Sequence, residues 1–182
     1  MQSLSEADRK SILELARRAV VEAVCQKRLL DEIPKTGLYE QKCGVFVTLH
    51  VRGRLRGCIG VIEAKDRLGE SIVRCAASAA LEDPRFSSMQ PGELQDLNVE
   101  VSLLSPMELI QPEAIEIGKH GLLVEHGLHR GLLLPQVAVE HHLEREQFLR
   151  ETCHKAGLAA DGWKAPETRI YAFTCEIAAE AK

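Results

Sequence analysis

The chain has 182 residues, of which 45% are apolar and 27% charged, and its 23 Lys plus Arg stand against 27 Asp plus Glu for a net charge of −4. That balance suits one globular domain, or two subdomains sharing a core, burying roughly 70% of the unfolded surface with no need of disulfides or a structural metal. It excludes disorder, collagen and coiled coil, and the acidic sum argues against a surface that tracks phosphates, so no nucleic-acid partner is expected.

The N-terminal residues carry no basic region followed by an apolar stretch, so they do not read as a signal peptide. No apolar run approaches the roughly 20 residues that a membrane-spanning helix requires, and a cytoplasmic chain without membrane attachment is expected. Six cysteines, Cys25, Cys43, Cys58, Cys75, Cys153 and Cys175, form no C-x-x-C pair and are expected to be reduced thiols.

In chain order, Ile12, Leu15, Ala16, Ala19, Val20, Ala23 and Val24 recur at three- and four-residue spacing and predict an amphipathic helix from about Ser5 to Leu30, opened by a Ser5/Asp8 capping box. Gly44 to Val51 and Arg54 to Ile62 flank Arg52-Gly53 and predict a hairpin. If the second strand is regular, Leu55, Ile59 and Val61 share one face and Arg56, Cys58 and Gly60 the other. A helix from about Asp66 follows, with Ile72, Val73, Cys75, Ala76, Ala79 and Ala80 on its apolar side, and it should stop before Pro84. Leu97, Val99, Val101 and Leu103 then alternate with polar residues as a half-buried strand.

The second half repeats this order. Strands are predicted at Ile115 to Ile117 and Leu122 to Glu125, with a return from Gly131 after a turn at Gly127 to Arg130. A helix carrying Phe148, Leu149, Thr152, Cys153 and Ala156 ends at Gly157 in a left-handed cap, and a final strand runs from Arg169 to Ile177. The expected fold is α+β: an N-terminal amphipathic helix and two pseudo-duplicated hairpin, helix, strand units forming unequal subdomains with a cleft.

Leu55-Arg56-Gly57-Cys58-Ile59-Gly60 is the most unusual segment, because glycines inside a strand usually mark a bulge or a close approach to the backbone. On one reading Arg56 favours the thiolate of Cys58, while Gly57 and Gly60 let a ligand come close. On the other, Cys58 is a small core residue and the glycines admit a helix. Glu100, on the polar side of its strand, is a candidate carboxylate partner for Arg56 or Arg85. Asp83-Pro84-Arg85-Phe86 reads as a helix-ending turn anchored by Phe86, in which Arg85 can also contact a ligand. Of the histidines, His120 stands between Gly118 and Gly121, where a turn could aim it at a site. His126, His129, His141 and His142 lack a metal-ligand spacing, so no metal site is expected.

The Arg56-Gly57-Cys58-Ile59-Gly60 motif resembles the signature of the AMMECR-type domain, the A protein of AmmeMemoRadiSam systems. The resemblance runs nearly end to end through Gly44 to Leu49, Asp83 to Phe86, Glu100 to Ser102, Ile117 to Leu122, Leu133 to Ala138, Phe148-Leu149 with Thr152-Cys153, and Lys155 to Leu158. The sequence departs from the family pattern at Leu143, where a tryptophan is usual, and after Ile177, where an aromatic is usual. The resemblance implies a single domain over residues 1–182 made of two interleaved subdomains, with a cleft lined by the signature. It also implies two partners: a Memo-like protein, similar to non-haem iron extradiol dioxygenases, and a radical S-adenosylmethionine protein. Two functions follow as expectations. In one, an enzyme or enzyme component uses Arg56 to hold an anionic group, Cys58 as nucleophile or redox thiol, and Glu100 or His120 to handle protons. In the other, a non-catalytic module carries a small molecule or docks on those partners. The sequence names no cofactor and no oligomeric state.

Overall fold

Helix α1 (Glu6–Gln26) starts at Ser5, whose hydroxyl accepts from the Asp8 N–H at 3.1 Å while the Asp8 carboxylate accepts from the Ser5 N–H at 3.2 Å. This reciprocal box satisfies donors that a helix start leaves unpaired. Ile12, Leu15, Ala16, Ala19, Val20, Ala23 and Val24 are all buried on one stripe. The helix stops earlier than its periodicity predicted, because Lys27 takes a left-handed conformation (φ 56°) and turns the chain before Leu30. The computed structural model describes residues 4–63 and 65–181. They divide into two compact units, the first running to Leu104 and resuming at Glu176, the second spanning Ser105–Cys175.

In the first unit β1 (Val45–Val51) and β2 (Arg54–Val61) form an antiparallel hairpin. Its two-residue turn has positive φ at both Arg52 and Gly53, as a type I′ turn requires. Helix α2 (Leu68–Leu81) follows, then β3 (Leu97–Leu104), which pairs antiparallel with β1, and β8 (Cys175–Ala179) completes the order β2-β1-β3-β8. Val45, Val47 and Leu49 of β1 and Val99, Val101 and Leu103 of β3 bury one sheet face in a core shared with α1 and α2. Each such side chain contributes on the order of 1.5–3 kcal/mol. Two arginines of α1 strap the chain's end to this unit: Arg9 reaches the Ile177 carbonyl and Glu176, and Arg17 holds Glu180 at 2.5 Å and the Leu97 carbonyl at 2.7 Å.

Strand β2 is not regular. Leu49 pairs with Gly57 but His50 pairs with Leu55, so Arg56 is an extra residue in a β-bulge. The expected alternation therefore fails at Leu55, which is 41% exposed and does not share the core face of Ile59 and Val61.

In the second unit β5 (Gly121–His126) and β6 (His129–Leu133) form the hairpin, and α3 (Pro135–Glu140), α4 (Arg145–Lys155) and β7 (Arg169–Phe173) follow. With the two-residue β4 (Glu108–Leu109) the sheet order is β4-β7-β5-β6. The repeat is thus spatial as well as sequential: β2-β1-β3 in one unit matches β6-β5-β7 in the other. Helix α4 ends as predicted, with Gly157 at φ 74°, its N–H on the His154 carbonyl and the Leu158 N–H on the Cys153 carbonyl, both at 2.9 Å. Phe148, Leu149 and Cys153 are fully buried here. Ile115 to Ile117 form no strand: Pro112–Ala114 make one 3-10 turn and the chain bends through Gly118 (φ 83°), leaving only Ile115 buried. The last predicted strand is broken at Thr174 into β7 and β8, which belong to different sheets. Among the described residues no helix is long and apolar enough to cross a membrane, and all six cysteines are free thiols.

Candidate functional site

The site is built on β2, an edge strand, and on the sheet face opposite the helices. Gly57 faces the helices: a Cβ there would lie 2.0 Å from the Ala79 carbonyl oxygen of α2, so the absent side chain lets the helix sit on the strand. Gly60 lies under the Phe46 ring, whose carbons would be 2.4 Å from a Cβ. The space beside both glycines is thus filled by the protein's own groups.

An edge strand offers unpaired N–H and C=O groups, and at Cys58 these are taken by the segment that follows α2. The Cys58 N–H donates to Asp83 Oδ2 at 2.8 Å, and Arg85 Nη2 donates to the Cys58 carbonyl at 3.3 Å. Asp83 is only 3% exposed and binds Arg85 twice, at 3.0 and 2.7 Å. The Arg85 guanidinium first, and then the Cys58 and Arg85 N–H groups, hold the Asp83 carboxyl well below the usual carboxylate range against the opposing effect of burial. Arg56, with its side chain 15% exposed, is gripped by Glu93 through a two-pronged bridge at 2.7 and 3.1 Å. That guanidinium lowers the Glu93 carboxyl in the same way. Phe86 lies within reach of both cations, its ring centre 5.9 Å from Arg56 and 5.4 Å from Arg85, at cation–π distance. Glu93, Arg56, Phe86, Arg85 and Asp83 therefore form a continuous clamp on the outer edge of the motif.

On the sheet face opposite the helices the strand register places Cys58, Thr48 and Glu100 in one row across β2, β1 and β3. The Thr48 hydroxyl donates to Cys58 Sγ at 3.3 Å, and the thiol is half-buried. Glu100 stands two strands from Cys58, about 10 Å by the spacing of adjacent strands. One step along the same face, Ser102 is 1% exposed and its hydroxyl has no partner among the described residues. The carboxylate partner of Arg56 is Glu93 and that of Arg85 is Asp83.

His120 belongs to the second unit, where its Nδ1 accepts from the Glu116 N–H at 3.2 Å and closes its own turn. His126 bonds Thr168 at 2.9 Å and His129 meets the Ala156 carbonyl at 3.2 Å, so these histidines have local partners and do not converge. Among the described residues no group of three His, Cys, Asp or Glu is placed to hold a metal ion. Sequence reasoning gave no site role to Thr48, Glu93 or Asp83, the last of which it read only as part of a helix-ending turn. The Arg56–Glu93 bridge spans 37 positions and carries no sequence signal. Asp83, just before a proline and two residues from an arginine, was the one with a readable cue.

The AMMECR1 family model matches residues 13–178. The chain is 47% identical to the protein TK0174 of Thermococcus kodakarensis, over 91% of this chain and 87% of that protein. It is 44% identical to a protein of Methanothermobacter thermautotrophicus, over 96% of this chain and 95% of that one. The crystal structure of the uncharacterized protein PH0010 from Pyrococcus horikoshii superimposes with a TM-score of 0.86 at 42% identity, covering 92% of this chain and 88% of that one. With the motif, the duplicated topology and these likenesses in agreement, the chain belongs to the AMMECR1 family.

Proposed function

We propose that this chain is a binding component and not itself a catalyst: the accessory member of an AmmeMemoRadiSam-type system, docking on a Memo-like or radical S-adenosylmethionine partner. The observation that carries this reading is that the charges of the signature are already occupied within the chain. Arg56 is held by Glu93 and Arg85 by Asp83, so neither guanidinium stands ready to take an anionic substrate group beside Cys58. Arg85 nonetheless has 54% of its side chain exposed, with Pro84 and Ser87 exposed on either side, which makes the clamp's outer surface a rigid docking edge. The compartment that goes with this reading is the cytoplasm.

One observation favours a second reading, a thiol-dependent enzyme or enzyme component. Cys58 is half-buried and its sulfur accepts from Thr48 in the same row as Glu100. The thiolate is the nucleophilic form of a cysteine. Isothermal titration of the chain with each partner separates the two. The docking reading expects micromolar binding that Arg85→Glu weakens at least about tenfold and Cys58→Ser leaves intact, a change of roughly 1.4 kcal/mol. It fails if neither partner binds, or if Cys58→Ser abolishes the system's reaction while binding persists.

A further inference from the structure

Strand β2 is the edge of its sheet, and its outward backbone groups are only partly capped. In an antiparallel pair, residues that exchange N–H and C=O with the neighbouring strand alternate with residues whose N–H and C=O point away from it. Cys58, opposite Thr48, is of the second kind, since its N–H goes to Asp83 and its carbonyl accepts from Arg85. The register runs without a shift from Cys58 to Gly60, which stands opposite Phe46, so the Gly60 N–H and C=O also point outward. Gly60 is half-buried, and among the described residues it makes no hydrogen bond outside the strand pairing. An outward N–H and C=O on a regular strand is a template for another strand, which proteins commonly blunt. Here the chain blunts the edge at Cys58 and stops one pair short of Gly60. Over that glycine lies the half-buried Phe46 ring, with carbons 2.4 Å from where a Cβ would stand, so an aromatic ring meets the edge with no side chain of residue 60 in between.

We propose that a partner engages this edge by strand addition at Gly60. An extended segment of the partner pairs antiparallel with β2, one of its residues exchanging both N–H···O bonds with Gly60 and laying a large apolar or aromatic side chain against Phe46. The pleat sets that side chain on the face that Phe46 occupies, and an aromatic contact across a glycine is a favourable cross-strand pair. Pairing cannot continue past Gly60 to Cys58, whose backbone groups are taken, so the added strand is short and the Arg85 guanidinium lies at its end. This inference rests on the docking reading above, whose Arg85 edge it continues, and it names the kind of contact that the partner makes.

The test follows hydrogen exchange at the Gly60 amide of the whole chain, alone and saturated with each proposed partner. Strand addition should slow Gly60 at least about tenfold in the complex and leave Cys58, already bonded within the chain, unchanged. Replacing the Ile59–Gly60 peptide bond by an ester removes the Gly60 N–H alone and should weaken partner binding about fivefold, the effect of one lost hydrogen bond. If a partner binds in an Arg85-dependent way while Gly60 exchanges as in the free chain, or if the folded ester variant binds as tightly as the parent, strand addition is overturned and the docking reading stands. If neither partner binds, both are overturned. Protection of Gly60 that appears when the chain alone is concentrated assigns the edge to a second copy and overturns the proposal.

Discussion

The two units share one frame and finish it differently. In each, a hairpin's first strand sits between its partner and the strand that follows the helix, and in each a glycine of the outer hairpin strand lets helical backbone approach: Gly57 under Ala79, Gly131 under Ala156. The first unit adds the 21-residue α1, tied by Arg9 and Arg17 to the chain's end, and locks its edge strand with the Asp83, Arg85, Arg56 and Glu93 clamp. The second unit has only the six-residue α3 beside α4 and keeps an open groove. Glycine in this frame is thus a packing device common to both units. What distinguishes the signature segment is the charged clamp along its edge, beside a thiol, a hydroxyl and a carboxylate that share one row on the face opposite the helices.

The sharpest way to break the comparison is to fill the shared contact. Gly57→Ala and Gly131→Ala would each drive a Cβ to within 2.0 and 2.3 Å of helical backbone, and both should lose about 2–3 kcal/mol in chemical denaturation. Gly92→Ala, which meets nothing within 4 Å, should stay within roughly 0.5 kcal/mol of the parent. Equal losses at all three positions would remove the packing argument.

The clamp supplies the next effect. Asp83→Asn keeps the shape but replaces a buried carboxylate that accepts from the Cys58 amide and Arg85, and should cost about 2 kcal/mol. It should also change the acid limb of stability. A carboxyl whose folded-state value lies below its unfolded value near 3.9 stabilises fully above about pH 4 and loses that contribution as the pH falls further. Both Asp83 and Glu93 are lowered in this way, so the parent should lose stability below about pH 4 more steeply than Asp83→Asn does. Urea midpoints measured across that range check the sign. The smallest effect is expected at the strap: Arg17→Met should cost about 1 kcal/mol, because the pair is partly exposed, and the loss should shrink in high salt.

Much of this was legible in the sequence because it rests on local periodicity. The apolar stripe of α1, the alternation of β3, the capping box at Ser5 and the left-handed cap at Gly157 all follow from spacings of four residues or fewer. The misplaced features depend on pairing or on distant partners. The bulge at Arg56 is fixed by its register against β1, and Ile115 to Ile117 had strand-like residues but a proline and a glycine that bend the chain on either side. At the candidate site, alternation placed Cys58 on the face away from the core and Glu100 on the polar side of its strand, and the register puts both in one row. The identity of the carboxylate on Arg56, and the carboxylate buried against the Cys58 backbone, come from residues 37 and 25 positions away.

The amide of Cys58 tests the clamp most directly. On an edge strand it would ordinarily exchange with solvent quickly, but here its N–H is bonded to a buried carboxylate. Hydrogen exchange at this single amide should therefore be slowed to the level of the core strands, and Asp83→Asn should accelerate it. An amide that exchanges like those of the surface loops, or one whose protection survives the loss of the Asp83 charge and its bond, would contradict the account.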